Sequence, residues 1–227
     1  MLKLTVLCLL LLVHTAHAQS QFEGDLVLEP PGCEHAGKCT LKNKLRFIDS
    51  SNVVWEAAAG LETDGASIPS FFQPFVGKPF ESAFVRAAVV HDHYCVRHVR
   101  PWRATHRVFY EGLLDQGVSS TKAKLMYYAV YLGGPKWVKL VPGLNCGKNC
   151  INKLTTVAGT PVFNSKEADY ALFDMDAELK ALEVELISDP TNLSLDDLEK
   201  RAQKRRPNDY YYRNGDTVPI SDFGITE

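Results

Sequence analysis

Residues 81–95 read Glu-Ser-Ala-Phe-Val-Arg-Ala-Ala-Val-Val-His-Asp-His-Tyr-Cys, and their spacing decides the fold. Ala83, Phe84, Ala87, Ala88, His91 and Cys95 recur at steps of three and four, the period of one helical face. Glu81 therefore opens a helix that carries a histidine and an aspartate in an apolar setting. Downstream, Pro101 suits the first turn of a second helix, which Val108, Phe109, Gly112 and Leu113 continue and Gly117 ends. Ser119 or Ser120 caps a third helix through Lys124-Leu125-Met126-Tyr127-Tyr128-Ala129-Val130, and Gly133-Gly134-Pro135 stops it. Three helices joined by short breaks pack as antiparallel neighbours.

Upstream of this core the pattern is strand-like. Phe22 to Leu28, Leu45 to Ile48 and Val53 to Trp55 form short apolar runs, and Asp49-Ser50-Ser51-Asn52 makes a hairpin the simplest link between the last two. A loop punctuated by Gly and Pro, Gly60 to Pro79, then leads into the first helix. Beyond Asn164 the chain is charged, with one helix expected from Ser165 to Ile187, another from Ser194 to Arg205, and a loose tail from Arg206. The basic group Lys200, Arg201, Lys204, Arg205 and Arg206 suits the C-terminal end of its helix, and the two C-terminal helices read either as amphipathic surface helices with a solvated face or as a surface for a protein partner.

Lys3, the apolar run Leu4 to Val13 and the small-x-small end Ala16-His17-Ala18 have the form of a secretory leader, so a mature start near Gln19 and a periplasmic or secreted product are expected. The run is too short for a bilayer span, and no transmembrane segment is expected. Without the leader the chain has 24 basic residues against 27 acidic, a formal charge of about −3, which gives no basis for nucleic-acid binding. Residues 19–155 are expected to form a single α+β domain with its helical core at about 80–133, and residues 156–227 a helical extension. Export permits disulfides, and Cys33 with Cys39 and Cys146 with Cys150 are the economical local pairs, leaving Cys95 over.

The chemistry concentrates between Thr63 and Val130. Adjacent helical residues point about 100° apart, so His91 can face the neighbouring helix while Asp92 faces the preceding loop. A carboxylate aimed at Asp64 and the Gly65 carbonyl offers the oxygen donors that calcium prefers. An imidazole beside it can deprotonate water near neutral pH, and cation plus base together describe ester hydrolysis. The plainer alternatives are a core histidine at position 91 and an ordinary turn at Asp64-Gly65. His93 and His98 lie off the apolar face and are expected to be exposed; Tyr127, Tyr128 and Tyr131 are expected to pack in the core, and Asp115 to be solvated.

Over about 70 residues the arrangement resembles the secreted prokaryotic phospholipases A2, which implies a phospholipase A2-like three-helix core acting on a lipid or membrane surface. In that likeness Asp64 and the Gly65 carbonyl match the calcium loop, His91 the general base and Asp92 the calcium ligand. Phe109-Tyr110-Glu111 matches the second helix and Tyr127-Tyr128-Ala129-Val130 the tyrosine-rich third. The stretch also looks like an uncharacterised family of bacterial and phage proteins with a Thr-Asp-Gly-Ala-Ser-Ile-Pro loop, here Thr63 to Pro69, and a His-Asp helix; that likeness extends to the N-terminal strands. Both families place an aspartate where this chain has His106, and a tyrosine where it has Cys95. The aspartate orients the imidazole in the phospholipases, so His106 takes that catalytic position here. His91, Cys95 and His106 also form a set that zinc accepts, which gives a zinc-dependent hydrolase as one alternative. A non-catalytic exported binding module on the same scaffold is the other.

Overall fold

The computed structural model describes residues 20–66, 68, 73–141, 162–171, 174–189 and 191–219. The leader, the Cys146 and Cys150 pairing, Ser67 and Pro69 lie outside the described residues. The elements in chain order are β1 (Gln21–Glu23), β2 (Leu28–Glu29), β3 (Cys39–Leu41), β4 (Leu45–Ile48), β5 (Val54–Ala57), β6 (Glu62–Thr63), α1 (Gln73–Val76), α2 (Val85–Arg97), α3 (Trp102–Asp115), α4 (Ser120–Gly133), β7 (Lys136–Val141), β8 (Val162–Lys166), α5 (Met175–Ser188), α6 (Leu195–Arg205), α7 (Tyr210–Arg213) and β9 (Thr217–Pro219). Antiparallel N-terminal strands and a helical C-terminal half make this an α+β protein. Among the described residues no helix is long and apolar enough to cross a membrane.

Local chemistry explains the N-terminal sheets. In the β4–β5 turn Asp49 Oδ1 accepts from the amides of Ser51 and Val53, and Oδ2 accepts from Trp55 Nε1 at 2.8 Å. One side chain thus closes the turn and fixes the register Phe47 opposite Trp55. A second sheet runs β2-β3-β6, with Cys39 opposite Thr63. The expected Cys33–Cys39 disulfide is present.

Helix α2 lies between two apolar clusters. Val85, Val89, Val90 and Tyr94 pack with Leu45, Phe47 and Trp55 from the strands, whereas Ala87 and Ala88 pack with α3, α4 and the C-terminal helices. Small residues let α2 and α3 approach: a Cβ added at Gly112 would stand 3.1 Å from that of Ala87. The expected boundaries of α3, α4 and α6 hold, whereas α2 begins at Val85 and not at Glu81. Ser119 caps α4, and Ser194 with Asp197 forms a capping box on α6. The three tyrosines of α4, Tyr127, Tyr128 and Tyr131, are buried as expected.

The C-terminal third differs from its sequence-based expectation. Ser165 and Lys166 belong to strand β8, not to a helix, and α5 begins at Met175. The reason is tertiary: β7 offers both its edges, pairing antiparallel with β8 and parallel with β9. Residues 206–219 of the tail are not loose, because Thr217–Pro219 is that parallel strand and Tyr211 and Tyr212 are buried. Tyr212 stacks on Tyr131 with its hydroxyl donating to the Tyr131 carbonyl at 2.7 Å, and Arg103 donates to the Tyr211 and Asn214 carbonyls.

Glu178 of α5 holds the helical layers together. It is 1% exposed and accepts from Tyr128 Oη at 2.9 Å, from Arg201 Nε at 2.5 Å and from Arg205. Truncation leaves two guanidinium groups without their buried acceptor. Glu178→Ala is expected to lower the free energy of unfolding by roughly 2–4 kcal/mol, with Arg201 and Arg205 partly rescued by solvent. Asp176→Ala, which breaks the exposed pair with Lys180, is expected to cost less than about 1 kcal/mol. Equilibrium unfolding in urea measures both.

Candidate active site

A cavity of about 710 Å³ opens between the β5–β6 connection, α2 and α4. Apolar side chains line much of it, including Ile68, Val76, Phe109, Met126 and Val130; the polar wall carries Thr63, Asp64, His91, Asp92 and Cys95.

His91 and Cys95 sit one turn apart on α2, and His106 meets them from α3. His91 Nε2 lies 2.8 Å from His106 Nδ1, and His106 Nε2 lies 3.1 Å from the Pro135 carbonyl. A carbonyl only accepts, so His106 carries its proton on Nε2. Burial, reinforced by repulsion from His91 and Lys136, holds the His106 imidazole well below its usual range, so it is neutral and its Nδ1 is an acceptor. His91 must then donate from Nε2. Burial pushes the His91 pKa down to about 4, which keeps this ring neutral too and leaves a lone pair on Nδ1. That nitrogen lies 3.8 Å from Cys95 Sγ and 3.9 Å from Asp92 Oδ1.

The loop before α2 supplies the oxygens. Thr63 Oγ1 donates to Asp92 Oδ2 at 2.7 Å and accepts from the Gly65 amide at 3.0 Å. Burial pushes the Asp92 carboxyl up to about 7; the Thr63 hydrogen bond opposes the rise and the nearby Asp64 carboxylate adds to it. Gly65 has φ +78°, and a Cβ there would meet the Pro79 carbonyl oxygen at 2.5 Å, so the loop admits no side chain at this point. The expected residues thus fall into two groups. His91, Cys95 and His106 converge, their donor atoms all within 4.8 Å of one another. Asp64 and Asp92 line the same cavity and repel each other, but among the described residues they join no third carboxylate, imidazole or thiol.

Three participants were not foreseen in the sequence. The Pro135 carbonyl fixes the tautomer of His106, and no side-chain pattern encodes a main-chain acceptor. Thr63 was part of a recognised loop, but its double hydrogen bond needed the β3–β6 pairing to be seen. Tyr170 reaches the cavity from beyond β8, its hydroxyl pKa raised by burial and then by Cys95, Asp92 and Asp64. His93 corrects an expectation: it is 7% exposed, because α2 is covered on both sides. His98 is half-buried against Trp137, with ring centroids 4.6 Å apart.

Residues 39–130, which include every site residue expected from the sequence, match the family described as "Protein of unknown function (DUF1353)". Uncharacterized protein y4iH of Sinorhizobium fredii (strain NBRC 101917 / NGR234) is 43% identical over 172 residues, covering 74% of this chain and 71% of that one. The chain belongs to the DUF1353 family. Uncharacterized protein y4jT of the same strain is 41% identical over 109 residues, 47% of this chain and 32% of that protein. No solved structure matches the chain. For this DUF1353 member, therefore, chemistry has to be argued from the site.

The Asp92 carboxyl gives a direct test of the electrostatics. Its folded-state pKa is raised from 3.8 to about 7, so its ionisation destabilises the fold progressively as pH rises through that window. Without divalent cations, Asp92→Asn is expected to stabilise the protein at pH 8 by roughly 1–4 kcal/mol and to have little effect near pH 4. Thermal melting at both pH values checks this; an equal gain at each would place the effect elsewhere.

Proposed function

We propose that this protein is a hydrolase of phospholipid or related ester bonds, working in the periplasm or outside the cell with His91 as its base. The observation that carries the reading is the directed chain from the Pro135 carbonyl through His106 to His91, which leaves the His91 Nδ1 lone pair beside the cavity. The apolar lining suits an acyl-bearing substrate, and the cavity volume falls in the range of small-molecule sites. The resemblance of the sequence of residues 63–130 to secreted phospholipases A2, which implies a phospholipase A2-like core, supports the same chemistry. The leader-like residues 1–18 and the Cys33–Cys39 disulfide favour an oxidising compartment.

In this mechanism a water beside His91 Nδ1 attacks the ester carbonyl as Nδ1 takes its proton. The Asp92 carboxylate at 3.9 Å stabilises the imidazolium. Nδ1 then returns the proton to the departing alkoxide as the ester C–O bond breaks. His106 positions the ring but contributes no negative charge, because its other nitrogen is committed to Pro135. Two mutually repelling carboxylates on one wall fit a hard cation, and Asp64, Asp92 and the Gly65 carbonyl are the groups that would hold calcium. When bound, calcium supplies positive charge to the developing carbonyl oxyanion.

Fatty-acid release from phospholipid vesicles in saturating calcium tests the reading. His91→Gln is expected to reduce kcat at least about 1,000-fold, and His106→Ala about 10- to 100-fold. With Asp92 held ionised by saturating calcium and a base at about 4, the acid limb of kcat/KM should lie well below the ~6.5 of an ordinary imidazole; without that cation the limb should follow Asp92, at about 7. His106→Asp should move that limb to higher pH, since a carboxylate raises the basicity of His91. A folded protein that releases no fatty acid at any pH would discard the hydrolase and leave a binding module.

A further inference from the structure

The hydrogen-bonded triad has a second capability. His91 Nε2 and His106 Nδ1 are 2.8 Å apart, Cys95 Sγ is 3.4 Å from His91 Nε2, and all three donors lie within 4.8 Å. A tetrahedral zinc ion with ligand bonds of about 2.0–2.1 Å to nitrogen and about 2.3 Å to sulfur needs donor spacings of roughly 3.3 Å between nitrogens and 3.6 Å from nitrogen to sulfur. The two ring nitrogens have to part by about half an ångström, and Cys95 Sγ, within 4.8 Å of His106 Nδ1, has to stand about 3.6 Å from it.

The surroundings of His106 match what a metal-bound imidazole requires, and those of His91 come within about an ångström of it. A histidine bound through one nitrogen donates from the other to a carbonyl or carboxylate. The Pro135 carbonyl stands 3.1 Å from His106 Nε2, and Asp92 Oδ1 stands 3.9 Å from His91 Nδ1. Cys95 is the free cysteine among the described residues, whereas Cys33 and Cys39 are joined to each other. Cys95 and His91 line the cavity, which leaves the fourth position open to a solvent molecule.

We propose that His91 Nε2, His106 Nδ1 and Cys95 Sγ form a site for a thiophilic divalent cation of the zinc class, and that its occupation switches off the base. Binding through Nε2 obliges His91 to carry its proton on Nδ1, where it points to Asp92 and no longer accepts one from water. The Cys95 thiol gives up its proton to solvent, and His106 keeps its own on Pro135. The site stands on geometry alone; the switching rests on the hydrolase proposed above.

Cobalt(II) is the probe for the site. Titrated into the full chain stripped with chelator, it is expected to bind one per chain, with a thiolate-to-cobalt charge-transfer band in the near ultraviolet and the visible bands of a tetrahedral ion. Zinc should bleach both. Cys95→Ser and Cys95→Ala should lose the charge-transfer band and weaken binding at least about 100-fold, with circular dichroism confirming the fold. Sub-stoichiometric binding by the wild type, or a band that survives both variants, overturns the site. For the switch, zinc should inhibit vesicle hydrolysis by the wild type at the midpoint of its binding, while the rates of Cys95→Ser with and without zinc should agree. Activation by zinc overturns mutual exclusion and points to a zinc-dependent hydrolase. Cobalt binding without hydrolysis under any condition supports the site and overturns the switch.

Discussion

Two nearly enclosed imidazoles and a half-buried thiol meet at the inner wall of the cavity. His106 is fully buried and His91 7% exposed, because α2 is packed by the strands on one side and by α3 and α4 on the other. A buried polar nitrogen without a partner costs on the order of 1–3 kcal/mol, so the rings have to satisfy one another. They do so in one order only, set by the one partner in this relay that cannot donate, the Pro135 oxygen. The tautomers of both rings and the location of the free lone pair follow from that constraint, and the helical spacing of α2 brings Cys95 beside them.

The rest of the fold holds this arrangement still. Gly112 against Ala87 brings α2 and α3 close enough for a 2.8 Å contact between rings. Pro135 is placed where α4 gives way to β7, and β7 is held between β8 and β9, so the C-terminal strand fixes the end of the relay from 80 residues away in sequence. On the cavity side, Cys39 pairs with Thr63 and the disulfide to Cys33 anchors that strand; Thr63 in turn orients Asp92 and the Gly65 amide. The charged network on Glu178 ties α5 and α6 to α4 and keeps the apolar wall of the cavity in place.

Where structure was legible in the sequence, the determinants were local. The three-four spacing of Ala83 to Cys95 gave α2, Ser119 and Ser194 marked helix starts, and the polar turn 49–52 marked a hairpin whose Asp49 supplies its own hydrogen bonds. The sheet of β7, β8 and β9 depends on partners far apart, and Val162 to Lys166 carried no signal strong enough to separate it from the helix that follows. The same division runs through the site. His91, Cys95, His106 and Asp92 were visible as side chains at helical spacing, while the Pro135 oxygen and Tyr170 were not, since one is backbone and the other arrives by long-range packing. His93 lies off the apolar stripe and is nevertheless buried, because a helix covered on two sides has no free face at that position.

His91 belongs to two donor sets of opposite character. Toward the loop, through Nδ1, it meets carboxylate oxygens that favour a hard cation; toward α3, through Nε2, it meets nitrogen and sulfur that favour a soft one. A neutral imidazole has one proton to distribute between these sides. With the proton on Nε2 the ring bonds to His106 and presents a base to the cavity; with it on Nδ1 the ring turns its lone pair inward and becomes a ligand. An aspartate at position 106 would hold the proton on Nε2 and raise the basicity of Nδ1. Histidine there does the first and not the second, and its own lone pair faces the same point as that of the alternative tautomer. With an imidazole at position 106 and a thiol one turn along α2, the proposed base and the proposed ligand are therefore alternatives between which the position of a single proton selects.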